Sequence, residues 1–246
     1  MFTPAERERL RDALIARARA DARVAGAALT GSAAGGTEDR WSDIDLFFGL
    51  AEGADQDAVL ADWTAWMRAE AGAVEHMDVR LGGTVYRVFL LASTLQVDLA
   101  FAPAGEFGAI APTFRLLFGE AVERPRPGPP DTTGLIGWAW LYALHARSSV
   151  ERGKAWQAEY MISGLRDHVL ALACVRHGVP AGQGRGMDLL PPEVTRGLTG
   201  ALVGSLDEAS LRRAFAAAVR GLLSEVAAVD PGLAERLRGP LGELAG

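Results

Sequence analysis

Two stretches, Leu29-Thr30-Gly31-Ser32 and Ser42-Asp43-Ile44-Asp45-Leu46, decide what fold this chain adopts. The first closes an uncharged run from Val24, a pattern typical of a buried strand that enters a tight turn at Gly31. The second predicts another strand. Because side chains alternate across a strand, its two aspartates project from one face about 7 Å apart, and its apolar residues project from the other face.

These aspartates predict a site for a divalent cation and a nucleotide. Asp43 and Asp45 present two carboxylates at the start of a strand, and carboxylate oxygens are preferred ligands of hard cations. Asp98 interrupts a later apolar strand, where an aspartate is costly unless something pairs with it. Gly31 permits close backbone approach, and Ser32 adds a hydroxyl and an N–H for phosphate oxygens. Together these residues predict a nucleoside triphosphate held on Mg²⁺.

The order of elements in the first half predicts an α+β domain with a mixed sheet. The first helix is predicted to begin at Pro4, with Thr3 and Glu6 as a capping box, and to run to about Ala20. Two strands, a helix and three strands follow, with Gly82-Gly83 as a hairpin turn. These elements are predicted at Val24–Thr30, Ile44–Phe48, Gln56–Ala71, Met77–Leu81, Thr84–Leu91 and Leu95–Phe101.

A proline-rich segment separates this domain from a second, helical one. Pro125, Pro127, Pro129 and Pro130 form a stiff stretch that joins neither a helix nor a central strand. The predicted boundaries are residues 1–122 for the first domain, 123–131 for the linker and 132–246 for an α-helical bundle. Its helices are predicted at Thr133–Ser149, Ala155–His177, a short segment after Pro192, and Leu206–Ala228, the last opened by a capping box of Ser205 and Glu208.

The first domain resembles the nucleotidyltransferase superfamily, which has the DNA polymerase β-like fold. The resemblance rests on Gly31-Ser32, on Asp43 eleven positions after Ser32, on Asp45, and on the later strand aspartate Asp98. It implies two-metal transfer of a nucleoside monophosphate from a triphosphate to a hydroxyl, with release of pyrophosphate. Asp43 and Asp45 would then bind both metals and Asp98 the catalytic one. Gly35 stands where many small members carry an arginine.

The combination of this domain, a proline linker and a helical domain resembles the antibiotic nucleotidyltransferases that adenylylate aminoglycosides or lincosamides. In several of these a carboxylate activates the acceptor hydroxyl, and Glu159 is the candidate here, with Asp167 as the alternative. Glu159 shares a polar stripe with Ser163 and Arg166, for which a solvated helix face is an equal interpretation. Arg185, in a glycine-rich loop, is the candidate to bind the triphosphate, and otherwise it is an exposed loop arginine.

Composition narrows the function classes. Hydrophobic residues make up 49% and charged residues 23% of 246 residues, which is typical of a folded globular chain. The net charge of −6 argues against a nucleic-acid binder. The uncharged stretch Thr132–Ala146 is shorter than the ~20 residues that a bilayer requires. The single cysteine, Cys174, is expected to be a buried small hydrophobe in a reducing compartment. We therefore expect a cytoplasmic protein without a membrane partner.

The sequence thus predicts an ATP- and Mg²⁺-dependent adenylyltransferase acting on a small-molecule hydroxyl, with an antibiotic as the expected acceptor. Two alternatives remain open at this point: a protein AMP-transferase of the toxin–antitoxin type, and a nucleotide-binding regulator without turnover. The sequence leaves the oligomeric state, the preferred nucleotide and the acceptor open.

Overall fold

A computed structural model describes residues 1–125 and 128–245. The chain divides into two compact units, Met1–Pro127 and Gly128–Gly246. Residues 123–125 and 128–131 of the proline-rich segment lie in neither a helix nor a strand. Pro127 of that segment lies outside the described residues. The domain boundaries predicted from the sequence stay a prediction.

The first unit is a six-stranded mixed sheet with helices, as the sequence predicts. The strand order is β3-β4-β5-β2-β1-β6, and β2 and β5 pair in parallel while the other neighbours pair antiparallel. Its elements are α1 (Pro4–Ala20), β1 (Val24–Thr30), α2 (Gly31–Gly35), β2 (Ile44–Leu50), α3 (Gln56–Glu70), β3 (Ala73–Leu81), β4 (Thr84–Leu91), β5 (Gln96–Ala102) and β6 (Phe114–Phe118).

Local sequence explains where α1 begins and where the β3–β4 hairpin turns. The capping box that opens α1 is present, because Thr3 Oγ1 accepts from the Glu6 N–H and the Glu6 carboxylate accepts from the Thr3 N–H. The β3–β4 hairpin turns at Gly82, whose φ is 61°. The Glu106 carboxylate accepts from the Gly83 N–H at 3.0 Å and from Thr84 Oγ1 at 3.0 Å, which fastens the turn.

The two faces of the sheet differ in character. One face, here called the core face, packs against α1 and α3 through buried side chains that include Phe48, Trp63 and Phe101. The rings of these three lie 4.9 to 5.4 Å apart, which is close aromatic packing. The other face, here called the carboxylate face, carries Asp45 and Asp98. Alternation along β2 and β5 therefore places the larger core on one side and the two carboxylates on the other, beside a smaller buried cluster of Ala28, Phe47, Ala100, Ala102 and Phe107.

The second unit is helical, as predicted. Its buried residues come mainly from the long helices, and Cys174 is among them with no exposed surface. Arg176 donates twice to the buried Glu225 carboxylate, at 2.9 Å each, so that this buried charge is paired. The helices are α4 (Thr132–Glu151), α5 (Ala155–Arg176), α6 (Pro192–Leu198), α7 (Glu208–Val229) and α8 (Pro231–Ala245).

The ends of several elements shift from the prediction, most of all in β3, which begins at Ala73 and not at Met77. The structure also departs from the sequence prediction at four further places. The turn after β1 is the one-turn helix α2, and β6 is an additional short edge strand. The capping box of Ser205 and Glu208 is wrong: Asp207 is the N-cap of α7, and its carboxylate accepts from the Ser210 N–H at 2.9 Å. α8 was not predicted, because its glycines and internal Pro240 oppose helix formation.

None of the helices in the described part of the chain is long and apolar enough to cross a membrane.

Candidate functional site

Strand pairing brings three carboxylates together on the first unit. In the parallel β2–β5 ladder Asp45 lies directly opposite Asp98. Asp43 immediately precedes β2. All three side chains are half-buried, and one carboxylate oxygen from each lies within 4.8 Å of the others. The structure therefore assembles Asp43, Asp45 and Asp98 into one cluster at the carboxylate face.

The donor set of this cluster fits a hard divalent cation. Oxygen ligands from three carboxylates are what Mg²⁺ or Mn²⁺ prefers. Three such groups at this separation also repel one another, and a cation relieves that repulsion. Burial raises the pKa of Asp98, and the Asp43 carboxylate raises it further, while a hydrogen bond from Gln96 opposes both effects. The ionised cluster is thus costly by itself, and positive charge would stabilise it.

Gln96 belongs to this site, although the sequence prediction did not include it. Its side-chain amide donates to Asp98 Oδ1 at 3.0 Å and reaches Asp43 Oδ2 at 3.5 Å. Gln96 lies two positions before Asp98 on β5 and so shares its face. The spacing of two residues from Asp98 was the sequence feature that could have indicated a role for Gln96 in the site. It was missed because glutamine at the start of a strand is commonly just a solvent-exposed residue.

Gly31 makes close contact with the cluster. Its φ is 58°, a left-handed conformation that glycine adopts without steric cost. A Cβ atom at this position would collide with the Asp45 carboxylate, whose Cγ would lie 2.7 Å away. Both the backbone angle and the space therefore require glycine, and the turn after β1 lies directly against Asp45.

Ser32 follows in the same turn with an unsatisfied hydroxyl. Its Oγ is buried and has no hydrogen-bond partner within residues 1–125 and 128–245. A buried hydroxyl without a partner costs free energy, so such groups mark positions where a ligand oxygen or water completes the bonding. This observation fits a phosphate oxygen at the position that the sequence predicts.

The loop that leads into Asp43 is held by a buried arginine. Arg7, on α1, is 3% exposed and donates through Nη1 to the Asp39 carbonyl at 2.5 Å and to the Ser42 carbonyl at 3.1 Å. Glu38 lies 3.3 Å from Arg7 Nε and 2.6 Å from Arg11 Nη1, and so balances the buried charge. These hydrogen bonds from Arg7 therefore hold the backbone next to Asp43. The contact joins residues far apart in the sequence, so no local pattern indicates it.

The candidate base, Glu159, lies on α5 of the second unit. It is half-buried, and its carboxylate accepts from Ser163 Oγ at 2.7 Å, as expected for residues one turn apart. Arg166 instead donates to the neighbouring Asp167 at 2.8 Å. Asp167, the alternative base, is exposed and shares the lining of a cavity of about 420 Å³ with His168.

The candidate triphosphate ligand, Arg185, is also in the second unit. It lies between two short 3₁₀ segments, Gly182–Gly184 and Met187–Leu189, and its side chain is exposed. Within the described part of the chain, Arg185 makes no ion pair and no side-chain hydrogen bond. The roles of Glu159 and Arg185 stay predictions.

Comparisons with known proteins find similar solved structures but no matching family model or curated protein. A scan against protein-family models finds no match for this chain, and a search of curated proteins finds none either. Among solved structures, the crystal structure of an aminoglycoside 6-adenyltransferase from Bacillus subtilis is similar, with a TM-score of 0.41 and 12% sequence identity. The alignment covers 95% of this chain and 96% of that chain.

Proposed function

We propose that this chain transfers a nucleoside monophosphate, AMP from ATP, to a hydroxyl group of a small molecule. The observation that carries the proposal is the cluster of Asp43, Asp45 and Asp98, with carboxylate oxygens within 4.8 Å of one another. When bound, divalent cations supply polarisation of phosphoryl oxygens and a lowered pKa of an attacking hydroxyl. The three aspartates would hold them, and Gly31 and Ser32 would receive the triphosphate oxygens.

The proposed reaction balances as a simple displacement. The acceptor oxygen bonds to the α-phosphorus of ATP, and the bond from that phosphorus to its bridging oxygen breaks. Pyrophosphate leaves with the electron pair. The acceptor proton passes to a carboxylate base, for which we propose Glu159, and Arg185 offsets charge on the triphosphate. We further propose an aminoglycoside-like or lincosamide-like antibiotic as the acceptor, and the cytoplasm as the location.

A screen for pyrophosphate release tests this function. The purified chain is incubated with Mg²⁺, each nucleoside triphosphate in turn, and a panel of aminoglycosides and lincosamides. We expect release that depends on ATP, on Mg²⁺ and on an acceptor. The Asp45→Asn variant should lose this release, whereas Asp57→Asn, an exposed aspartate on α3, should keep it. Release that survives in Asp45→Asn would refute the assignment of the cluster.

Kinetics of Glu159→Gln test the proposed base. Removal of a general base should lower kcat by about 10² to 10⁴ and abolish the acidic limb of the pH–rate profile. If Glu159 only holds the acceptor, KM should rise instead. A solvated side chain should change neither constant by more than about twofold, and that result would remove Glu159 from the mechanism.

A further inference from the structure

The carboxylate face continues past Asp98 as an exposed apolar surface. Two antiparallel ladders place Val88 of β4 opposite Asp98 and Met77 of β3 opposite Val88. One row of side chains thus crosses four strands, from Asp45 through Asp98 and Val88 to Met77. Adjacent strands lie about 4.8 Å apart, so Met77 is about 10 Å from Asp98 along this row.

The neighbouring rows add further exposed apolar side chains. Val79 pairs with Tyr86, and Leu90 pairs with Glu75. Met77 is 60% exposed, Val79 48% and Leu90 51%. We call Met77, Val79, Tyr86, Val88 and Leu90 the apolar strip. On the face of β3 and β4 that carries this strip, within the described residues, Glu75 is the one charged side chain, because Asp78, Arg80 and Arg87 alternate to the opposite face.

The two sides of the carboxylate cluster therefore differ. On the β1 side, the backbone at Gly31 and the Ser32 hydroxyl, which has no hydrogen-bond partner among the described residues, offer polar groups to a phosphate. On the β4 side, the apolar strip offers hydrocarbon surface around Met77, Val79 and Val88, and the charged side chains Glu75, Glu106 and Arg124 lie toward its ends. A triphosphate matches the first side. The second side matches a molecule whose reactive hydroxyl is attached to an apolar group.

We propose that the apolar strip binds an apolar arm of the acceptor, whose hydroxyl then lies beside Asp98. This inference rests on the proposed function and narrows its substrate class to hydroxyl compounds that carry an alkyl or aryl group within about 10 Å of the reacting oxygen. Of the two acceptor classes considered, it selects the lincosamide-like class over the polycationic aminoglycoside-like one. A second copy of this chain is a poorer occupant, since a stable dimer interface uses about 20–30 residues on each side.

Calorimetric titrations test the strip. Lincomycin and kanamycin are titrated into the full chain with Mg²⁺ and α,β-methylene-ATP, an analogue that cannot transfer its α-phosphate. The test variant is Met77→Gln with Val79→Thr, which keeps side-chain size and charge. The control is Leu116→Gln, an exposed apolar residue on β6 at the opposite edge of the sheet. Melting curves establish that each variant folds, and the single variant Met77→Gln serves if the double variant does not.

We expect lincomycin to bind more tightly than kanamycin, and the double variant to weaken lincomycin binding at least ~10-fold, with Leu116→Gln unchanged. Met77→Gln alone should weaken it about 3-fold. Equal weakening by Leu116→Gln, tighter kanamycin binding, or no lincomycin binding by a chain that binds the nucleotide would overturn the inference and leave the proposed function standing. A chain that binds no Mg²⁺ and nucleotide would overturn both. A dimer that the double variant dissociates without a change in lincomycin affinity would assign the strip to self-association and overturn the inference.

Discussion

The two faces of the sheet in the first unit differ in what they carry: one holds the larger hydrophobic core, and the other holds the carboxylate cluster beside a smaller buried cluster. Along β2, Asp45 projects to the carboxylate face and its neighbour Leu46, 1% exposed, projects to the core face. Along β5, Asp98 and Leu99 divide in the same way. One pair of strands therefore places a core residue and a candidate cation ligand at adjacent positions. The difference teaches that substitutions on one face should leave the property of the other face largely intact, because alternate side chains share backbone but few contacts.

The largest expected effect lies on the core face. Phe48 is fully buried and packs against Trp63 and Phe101. Phe48→Ala should lower the free energy of unfolding by about 3–5 kcal/mol, through lost burial and the cavity that remains. Urea denaturation followed by circular dichroism measures it. A loss below 1 kcal/mol would show that this aromatic cluster does not hold the sheet.

An intermediate effect is expected where the turn after β1 touches the carboxylate face. Gly31→Ala should cost about 1–2 kcal/mol of stability from the left-handed backbone alone, and the new Cβ should displace the Asp45 carboxylate. Gly36→Ala is the matched control: it also has a positive φ, but a Cβ there meets nothing within 4 Å. Both variants should lose stability in urea denaturation, whereas cation affinity should fall in Gly31→Ala only. Equal cation affinity in the two would contradict the contact.

The smallest expected effect has the opposite sign. Because the pKa of Asp98 is raised in the folded chain, chiefly by burial, folding favours its protonated form. Below the pKa that Asp98 has in the unfolded chain, its protonated form makes its full contribution to the free energy of unfolding. That contribution is lost as pH rises through the pKa of Asp98 in the folded chain. Asp98→Asn should raise the melting temperature slightly at pH 7 and flatten its fall between acidic and neutral pH. An unchanged pH dependence would show that Asp98 is not desolvated.

How far the sequence predicts the molecule depends on the range of the interactions. Alternation and capping are local, so the bounds of α1, β1 and β4 were predicted to the residue. Pairing of β2 with β5 is a long-range event, and no local pattern sets which strands become neighbours. β6 was missed because five residues at a sheet edge give too little alternation to recognise.

The helical unit illustrates the same limit. The leucines of α8 at 233, 237 and 241 recur with helical spacing, and their burial against the other helices outweighs Pro240. The polar stripe on α5 was predicted from periodicity, which identifies a face but not what that face binds. Glu159 indeed meets Ser163 one turn away, whereas Arg166 pairs with Asp167 at the adjacent position. Helical periodicity therefore predicts which side chains share a helix face, but it does not predict what those side chains do.

Cation binding by the carboxylate cluster is tested most directly by Mn²⁺ titration followed by electron paramagnetic resonance of the free ion. Asp43, Asp45 and Asp98 offer oxygens within 4.8 Å of one another. The wild-type chain should take up Mn²⁺ saturably. Asp45→Asn and Asp98→Asn should each weaken that uptake at least ~10-fold, since each removes a charged ligand, while Asp57→Asn should match the wild type. Equal uptake by the wild type and both cluster variants would contradict the account.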